Sequence, residues 1–121
     1  MADIEVRRVY DHTEQPRGAT FLVDRMWPRG IKKDDLALDG WLRDIAPSAE
    51  LRTWFGHRAD RFEEFRERYR AELDQAGDAI EPLLDAARRG PVTLLYSARD
   101  EEHNNAVVIR EYVADRLGRD A

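Results

Sequence analysis

The sequence predicts an α/β fold, a small and mostly parallel three-stranded sheet carrying about five helices. Two short runs, TFLV at 20–23 and PVTLLYS at 91–97, are nearly continuous in apolar residues, as strands buried on both faces of a parallel sheet are. Much of the long interval between them steps in threes and fours, the period of amphipathic helices. Each apolar run also stops abruptly in a cluster of charged and polar residues.

Taken in order, IEVRRVY at 4–10 alternates roughly apolar with polar, which suits a strand with one wet face. DHTEQPRGA is a turn-rich connection with Pro16 and Gly18. TFLV ends in Asp24-Arg25, and the loop MWPRGIKKDD follows, punctuated by Pro28 and Gly30. Trp41, Leu42 and Ile45 share a helical face after Asp39, and Pro47-Ser48 restarts the chain. Ser48 is placed to cap AELRTWF, with Leu51, Trp54 and Phe55 at helical spacing and Gly56 as the stop. Asp60 with Glu63 has the pattern of a capping box opening RFEEFRERYRAEL. Phe62, Phe65, Tyr69, Leu73 and Ala76 form its apolar stripe, and Glu64 with Arg68 adds an i,i+4 pair worth about 0.3–0.5 kcal/mol. Asp78 starts AIEPLLDAARR, with Pro82 in the first turn and Gly90 ending it. After PVTLLYS, a last helix is marked by Ala106, Ile109, Val113 and Leu117 and closed by Gly118. The first two strands are joined by too few residues for a helical crossover, which leaves their relative direction open.

Residues 1–121 contain no repeat, linker or low-complexity stretch and read as one domain. With 42% hydrophobic and 37% charged residues, the composition is that of a globular protein with a heavily charged surface. No apolar run approaches the ~20 residues a membrane span needs. MADIEVRRVY lacks the apolar core of a secretory signal, so the expected address is the cytoplasm. Cysteine is absent, which removes disulfides, thiolate metal ligands and cysteine nucleophiles together. A net charge of −5 argues against nonspecific nucleic-acid binding, although Arg25, Arg29, Lys32 and Lys33 stand close together against one acid, Asp24. The sequence sets no oligomeric state.

In open parallel sheets, ligands bind beyond the carboxyl ends of the strands. If the two apolar strands are parallel neighbours, Asp24, Arg25, Trp27 and Arg29 share a rim with Ser97, Arg99, Asp100, His103 and Asn104. Each residue has a plainer reading. Asp24 and Arg25 are equally read as a structural ion pair, and Trp27 before Pro28 as a core plug rather than a stacking platform. Arg29 with Lys32 and Lys33 either binds an anion or lies in a solvated loop. Asn104 or Asn105 is a candidate cap for the last helix, whose N-terminus favours an anion in either case. Tyr96 and Ser97 are more simply packing and hydrogen-bonding groups than nucleophiles. His12, His57 and His103 fall on three segments without metal-ligand spacing, so no resident metal or other cofactor is expected. His103 beside Asp100 suits acid–base work, because imidazole titrates near neutrality. His57 after Gly56 reads more simply as a helix-end residue meeting terminal carbonyls.

The segments VYD, FLVDRMWPRGIKK, WLRDIAPSAELRTWFGH, FEEFRERYRAEL and VTLLYSARDEEHNNAVVIREYV together resemble the YeaO-like family of uncharacterised bacterial proteins, a domain-of-unknown-function group. The resemblance spans nearly the whole chain and brings no established activity. Some members carry a label as MarR-type regulators, but no winged helix-turn-helix pattern is evident here. The broader group is similar to rhodanese and cysteine-phosphatase domains, which implies a rhodanese/phosphatase-like Rossmannoid whose active loop lies between a central strand and a helix. LLYSARDEEHNNA occupies that place. By the same resemblance, Tyr96 falls where related proteins have a cysteine, and Asn104-Asn105-Ala106 where they have Cys-His-Arg. Both departures remove the groups that thiol-based sulfur or phosphoryl transfer needs.

The expectation is therefore a protein that has lost the catalytic cysteine and binds a small anion, a nucleotide or phosphorylated metabolite. Arg25, Arg29 and Arg99 would clamp charge, Trp27 would stack and Asn104 would orient, with Asp24 and Ser97 on the same rim. An alternative is a non-thiol hydrolase or transferase using His103 and Asp100, or recruiting a divalent metal such as magnesium or manganese through Asp24 and Asp100. A nucleic-acid-associated or regulatory protein is a further alternative.

Overall fold

Four parallel strands form one sheet in the computed structural model, which describes residues 3–11 and 17–120. They are β1 (Ile4–Arg8), β2 (Ala19–Leu22), β3 (Gly40–Trp41) and β4 (Val92–Tyr96), in the spatial order β1-β4-β2-β3. β1 and β2 flank β4 and both run parallel to it, with Val6 and Phe21 in register with Leu94. This settles the direction that the sequence left open. The α/β class and parallel sheet hold. The expected count of three strands and about five helices is corrected to four strands and four α-helices among the described residues: α1 (Ala49–Phe55), α2 (Phe62–Asp74), α3 (Glu81–Arg89) and α4 (Asn105–Asp120).

One segment accounts for both differences. Of Trp41, Leu42 and Ile45, read as a helical face, Trp41 instead joins Gly40 in β3 on the free edge of β2, and Ile45 ends a short 3-10 turn at Arg43–Ile45. The Asp39 carboxylate accepts from the Thr20 amide at 2.7 Å, and the Asp39 and Leu42 amides donate to the Thr20 and Leu22 carbonyls, each at 2.8 Å. An apolar spacing of barely one turn, with Pro47 close behind, gives way to the unpaired backbone of a strand edge.

The two faces of the sheet are covered differently. Val6, Phe21, Leu94 and Tyr96 belong to the main core with α2, α3 and α4, where Phe65, Tyr69, Leu84 and Ile109 are fully buried or nearly so. On the other face, Leu22 and Leu95 pack with Val9 and Leu36, and Trp27, Ile31, Leu38 and Trp41 close over them. Among the described residues, this second cover consists of loop, 3-10 turn and the β3 residue Trp41, with no α-helix. β4 is buried along its whole length, as its unbroken apolar run requires. Gly18 fits β2 against β4: at φ +63° its added Cβ would lie 1.9 Å from the Pro91 carbonyl oxygen.

Ser48 caps α1 through the Leu51 amide at 3.1 Å, and Gly56 closes it in the left-handed conformation. α2 buries Phe62, Phe65, Tyr69 and Leu73, and Glu64 pairs with Arg68 on its outer face. Ala76, the expected end of that stripe, lies beyond the helix but still packs on the core. The Asp60 capping box is not formed, because its carboxylate is taken by Arg58 at 2.9 and 3.2 Å. α4 continues through Gly118 rather than stopping there; a solvent-facing helical glycine costs only about 1 kcal/mol. Pro16 and His12 lie outside the described residues. No described helix is long and apolar enough to cross a membrane.

Candidate functional site

Because β2 and β4 are parallel neighbours, the two polar clusters leave the sheet on the same rim. Asp24 ties them together. Its Oδ2 accepts from the Ser97 amide at 2.9 Å and the Ser97 hydroxyl at 2.6 Å. Its Oδ1 accepts from Asn105 Nδ2 at 3.0 Å, and that same amide group reaches the Val23 carbonyl. The Asp24 carbonyl in turn accepts from the Trp41 indole at 2.7 Å. One aspartate thus joins the ends of β2 and β4, the start of α4 and the edge strand β3.

The loop between β4 and α4 is organised by a second aspartate. Asp100 Oδ1 accepts from the Glu102 and His103 amides at 2.9 and 3.0 Å, and Oδ2 lies 2.9 Å from His103 Nδ1. The Glu102 amide first, and the His103 contacts with it, hold the Asp100 carboxyl below the usual carboxylate range. Asn104, only 2% exposed, is the N-cap. Its Oδ1 accepts from the Val107 amide at 3.0 Å, and its Nδ2 donates to the Asp100 carbonyl at 2.9 Å. Arg8 reaches in from β1 to the Ala98 carbonyl at 3.0 Å.

The chemical consequence is definite. A loop leading from a strand into a helix cradles an anion with its free backbone amides. Here the amides of Ser97, Glu102, His103 and Val107 already donate to side chains of the same chain, and two of the three acceptor residues carry negative charge. Those four amides are occupied from within the chain.

The remaining candidates separate from this network. No ion pair joins Asp24 to Arg25 among the described residues; the Asp24 oxygens are directed to Ser97 and Asn105. Trp27 is half-buried, donates to the Ile31 carbonyl at 2.6 Å and meets Trp41 edge-on at 5.4 Å, so it packs the loop-covered face. Arg29 is exposed, while its carbonyl accepts from the Tyr10 hydroxyl at 2.9 Å. Arg99 is exposed as well. Arg25, Arg29 and Arg99 have no side-chain partner among the described residues. His103 stands edge-on to Phe62 at 5.1 Å, and His57 lies outside the network, exposed after Gly56. Asp24 and Asp100 do not converge with further ligands: no group of three or more His, Asp or Glu among the described residues could hold a metal ion.

Beside the rim, Arg25, Asp44, Ser48, Tyr69, Glu72 and Gln75 line a crevice of about 230 Å³. Glu72 spends both oxygens on Ser48, accepting from its amide at 2.8 Å and its hydroxyl at 2.6 Å. Tyr69 donates to the Ile45 carbonyl at 2.5 Å, and burial, with Glu72 and Asp24 nearby, pushes its phenol well above its usual range. In the sequence Ser48 is a cap and Tyr69 a stripe residue, whereas Asp44, Glu72 and Gln75 carry no site signal. No local spacing signals their meeting.

The chain matches, over residues 3–121, the family described as the inactive DUF488-N3 subclade. It is 48% identical over 111 residues to the uncharacterized protein YeaO of Escherichia coli (strain K12), covering 92% of this chain and 96% of that one. It is 38% identical over 113 residues to the uncharacterized protein Rv3073c of Mycobacterium tuberculosis (strain ATCC 25618 / H37Rv), covering 93% and 95%. No solved structure matches it. The chain belongs to this YeaO-like subclade.

Proposed function

We propose that this member of the inactive DUF488-N3 subclade is a non-catalytic binding protein for a small anionic metabolite. Side-chain guanidinium groups at the carboxyl ends of the strands take the anion, in place of loop amides. The observation that carries the reading is Arg25, which lines the crevice and has no partner among the described residues. At about 230 Å³ the crevice is smaller than the ~300–1,000 Å³ typical of drug-sized ligands. It suits a phosphate or carboxylate on a few carbons better than a whole nucleotide. Asp44 and Gln75 offer acceptors to the ligand's hydroxyl or amino groups.

Two further points support a role without chemistry. The family is described as inactive. The resemblance of the β4–α4 loop to a rhodanese or cysteine-phosphatase active loop also fits a rebuilt remnant, with Tyr96 at the cysteine position and Asp24 and Asp100 holding the amides that an oxyanion would need. The test is a thermal-shift screen against phosphorylated metabolites, carboxylates and nucleotides. A ligand at 100-fold its dissociation constant adds about 2.7 kcal/mol, or roughly 10 °C for a chain of this size. Arg25→Ala is expected to remove the shift and Asp100→Asn to retain it. A screen with no shift, or a shift that survives Arg25→Ala, overturns the reading.

The Asp100–His103 contact favours a second reading, acid–base catalysis. The same carboxylate also holds two backbone amides, which is the work of a loop-forming residue. Catalysis requires His103→Ala to abolish turnover while ligand affinity persists; binding alone requires it to leave the ligand shift unchanged.

A further inference from the structure

Among the described residues, the large hydrophobic side chains left exposed are Met26, at 68%, and Tyr10, at 42%. Both are tied to one loop. Met26 lies in the loop that leaves β2, and the Tyr10 hydroxyl anchors that loop through the Arg29 carbonyl. Exposed in the same loop are Arg29, Lys32 and Lys33, with no ion-pair partner among the described residues. Elsewhere, cations are commonly paired: Arg17 with Asp3, Arg58 with Asp60, Arg66 with Glu63 and Glu111, Arg70 with Asp115. In a chain of net charge −5, a shortage of acids does not explain the unpaired group.

We infer that the loop from Met26 to Lys33, together with Tyr10, is a docking surface for an acidic protein segment that carries an apolar side chain. Unpaired cations call for carboxylates, and an exposed methionine, flexible and polarizable, suits an apolar anchor of adaptable shape. The loop is braced from beneath, because Trp27 and Ile31 pack on the sheet and the Trp27 indole is bonded to the Ile31 carbonyl. Such bracing lowers the ordering cost of binding. A nucleic acid fits less well, because the exposed Met26 side chain offers a phosphate chain nothing to bind. A bilayer fits less well too, since the apolar part is one methionine and one half-exposed tyrosine.

The inference is independent of the Arg25 crevice, and the experiment keeps them apart. Randomised displayed peptides are selected on the purified full chain, and the peptides recovered are measured by fluorescence anisotropy. Peptides rich in Asp and Glu with an aliphatic or aromatic residue are expected. Their binding should weaken with salt and be lost in the Arg29→Glu/Lys32→Glu/Lys33→Glu variant. Met26→Ser should weaken it about tenfold, and Arg25→Ala should leave it unchanged. All the substituted side chains are exposed, and circular dichroism is the check that the variants fold. Recovery of peptides without acidic residues, equal binding to the charge-reversed variant, or tighter binding of single-stranded DNA or phosphatidylserine vesicles through the same residues overturns the proposal.

Discussion

The loop that leaves β4 and the loop that leaves β2 look alike in the sequence. Each follows an apolar strand, and each mixes aspartate and arginine with neutral residues. In the folded chain they differ. In the β4 loop Asp100 and Asn104 turn back on their own chain, and the amides of Ser97, Glu102, His103 and, in α4, Val107 donate to side chains. The β2 loop contributes Asp24 to that same network and leaves Arg25, Arg29, Lys32 and Lys33 without partners among the described residues. A polar cluster at a strand end thus serves structure where its acids reach backbone amides of their own chain. Where its cations stay unpaired it is, on the proposed reading, left to a ligand. The comparison gives the β4 loop a structural role and, on the proposed reading, leaves the β2 loop for binding, and it can be broken from either side.

The largest effect is expected at Asp24. Asp24→Ala leaves the Ser97 amide and hydroxyl and the Asn105 side chain without their acceptor. Urea denaturation should show a loss of about 3 kcal/mol or more. A loss below about 0.5 kcal/mol would mean that Asp24 does not hold the two strand ends together. Next is Asn104→Ala, which deletes a buried N-cap and should cost about 1–2 kcal/mol.

A pH effect should follow from Asp100. Its carboxyl is held below the ordinary range in the folded chain, so its contribution is fully present above the unfolded value near ~3.9. That contribution fades as pH falls through the depressed folded value. Asp100→Asn should therefore flatten stability against pH in the acid range and leave the slope near neutrality unchanged. The smallest effect belongs to the free cations: Arg25→Ala and Arg99→Ala should each change stability by no more than about 0.5 kcal/mol. A larger cost at either would show that its guanidinium is engaged after all.

What was legible in the sequence was local. The Ser48 cap, the stripe from Phe62 to Leu73 and the wholly buried β4 all follow from spacings within a few residues. Asn104, four residues after Asp100 and three before Val107, was readable as a cap for the same reason. The shared rim was inferable once the two apolar runs were taken as parallel neighbours. Hidden were the contacts that join distant segments. Asp24 meets Ser97 across 73 positions, and β3 forms because the edge of β2 needs a partner, which outweighs a brief helical pattern. Ser97 and Asn104, expected on the site rim, have side-chain partners within the chain.

Amide hydrogen exchange, measured residue by residue with and without inorganic phosphate, tests the central claim most directly. The account predicts that the Ser97, Glu102, His103 and Val107 amides exchange more slowly than those of Arg29, Lys32 and Lys33, and that phosphate leaves their rates unchanged. Exchange at those four amides as fast as in the β2 loop, or slowed further by phosphate, would contradict it and return the β4 loop to the role of an open anion cradle.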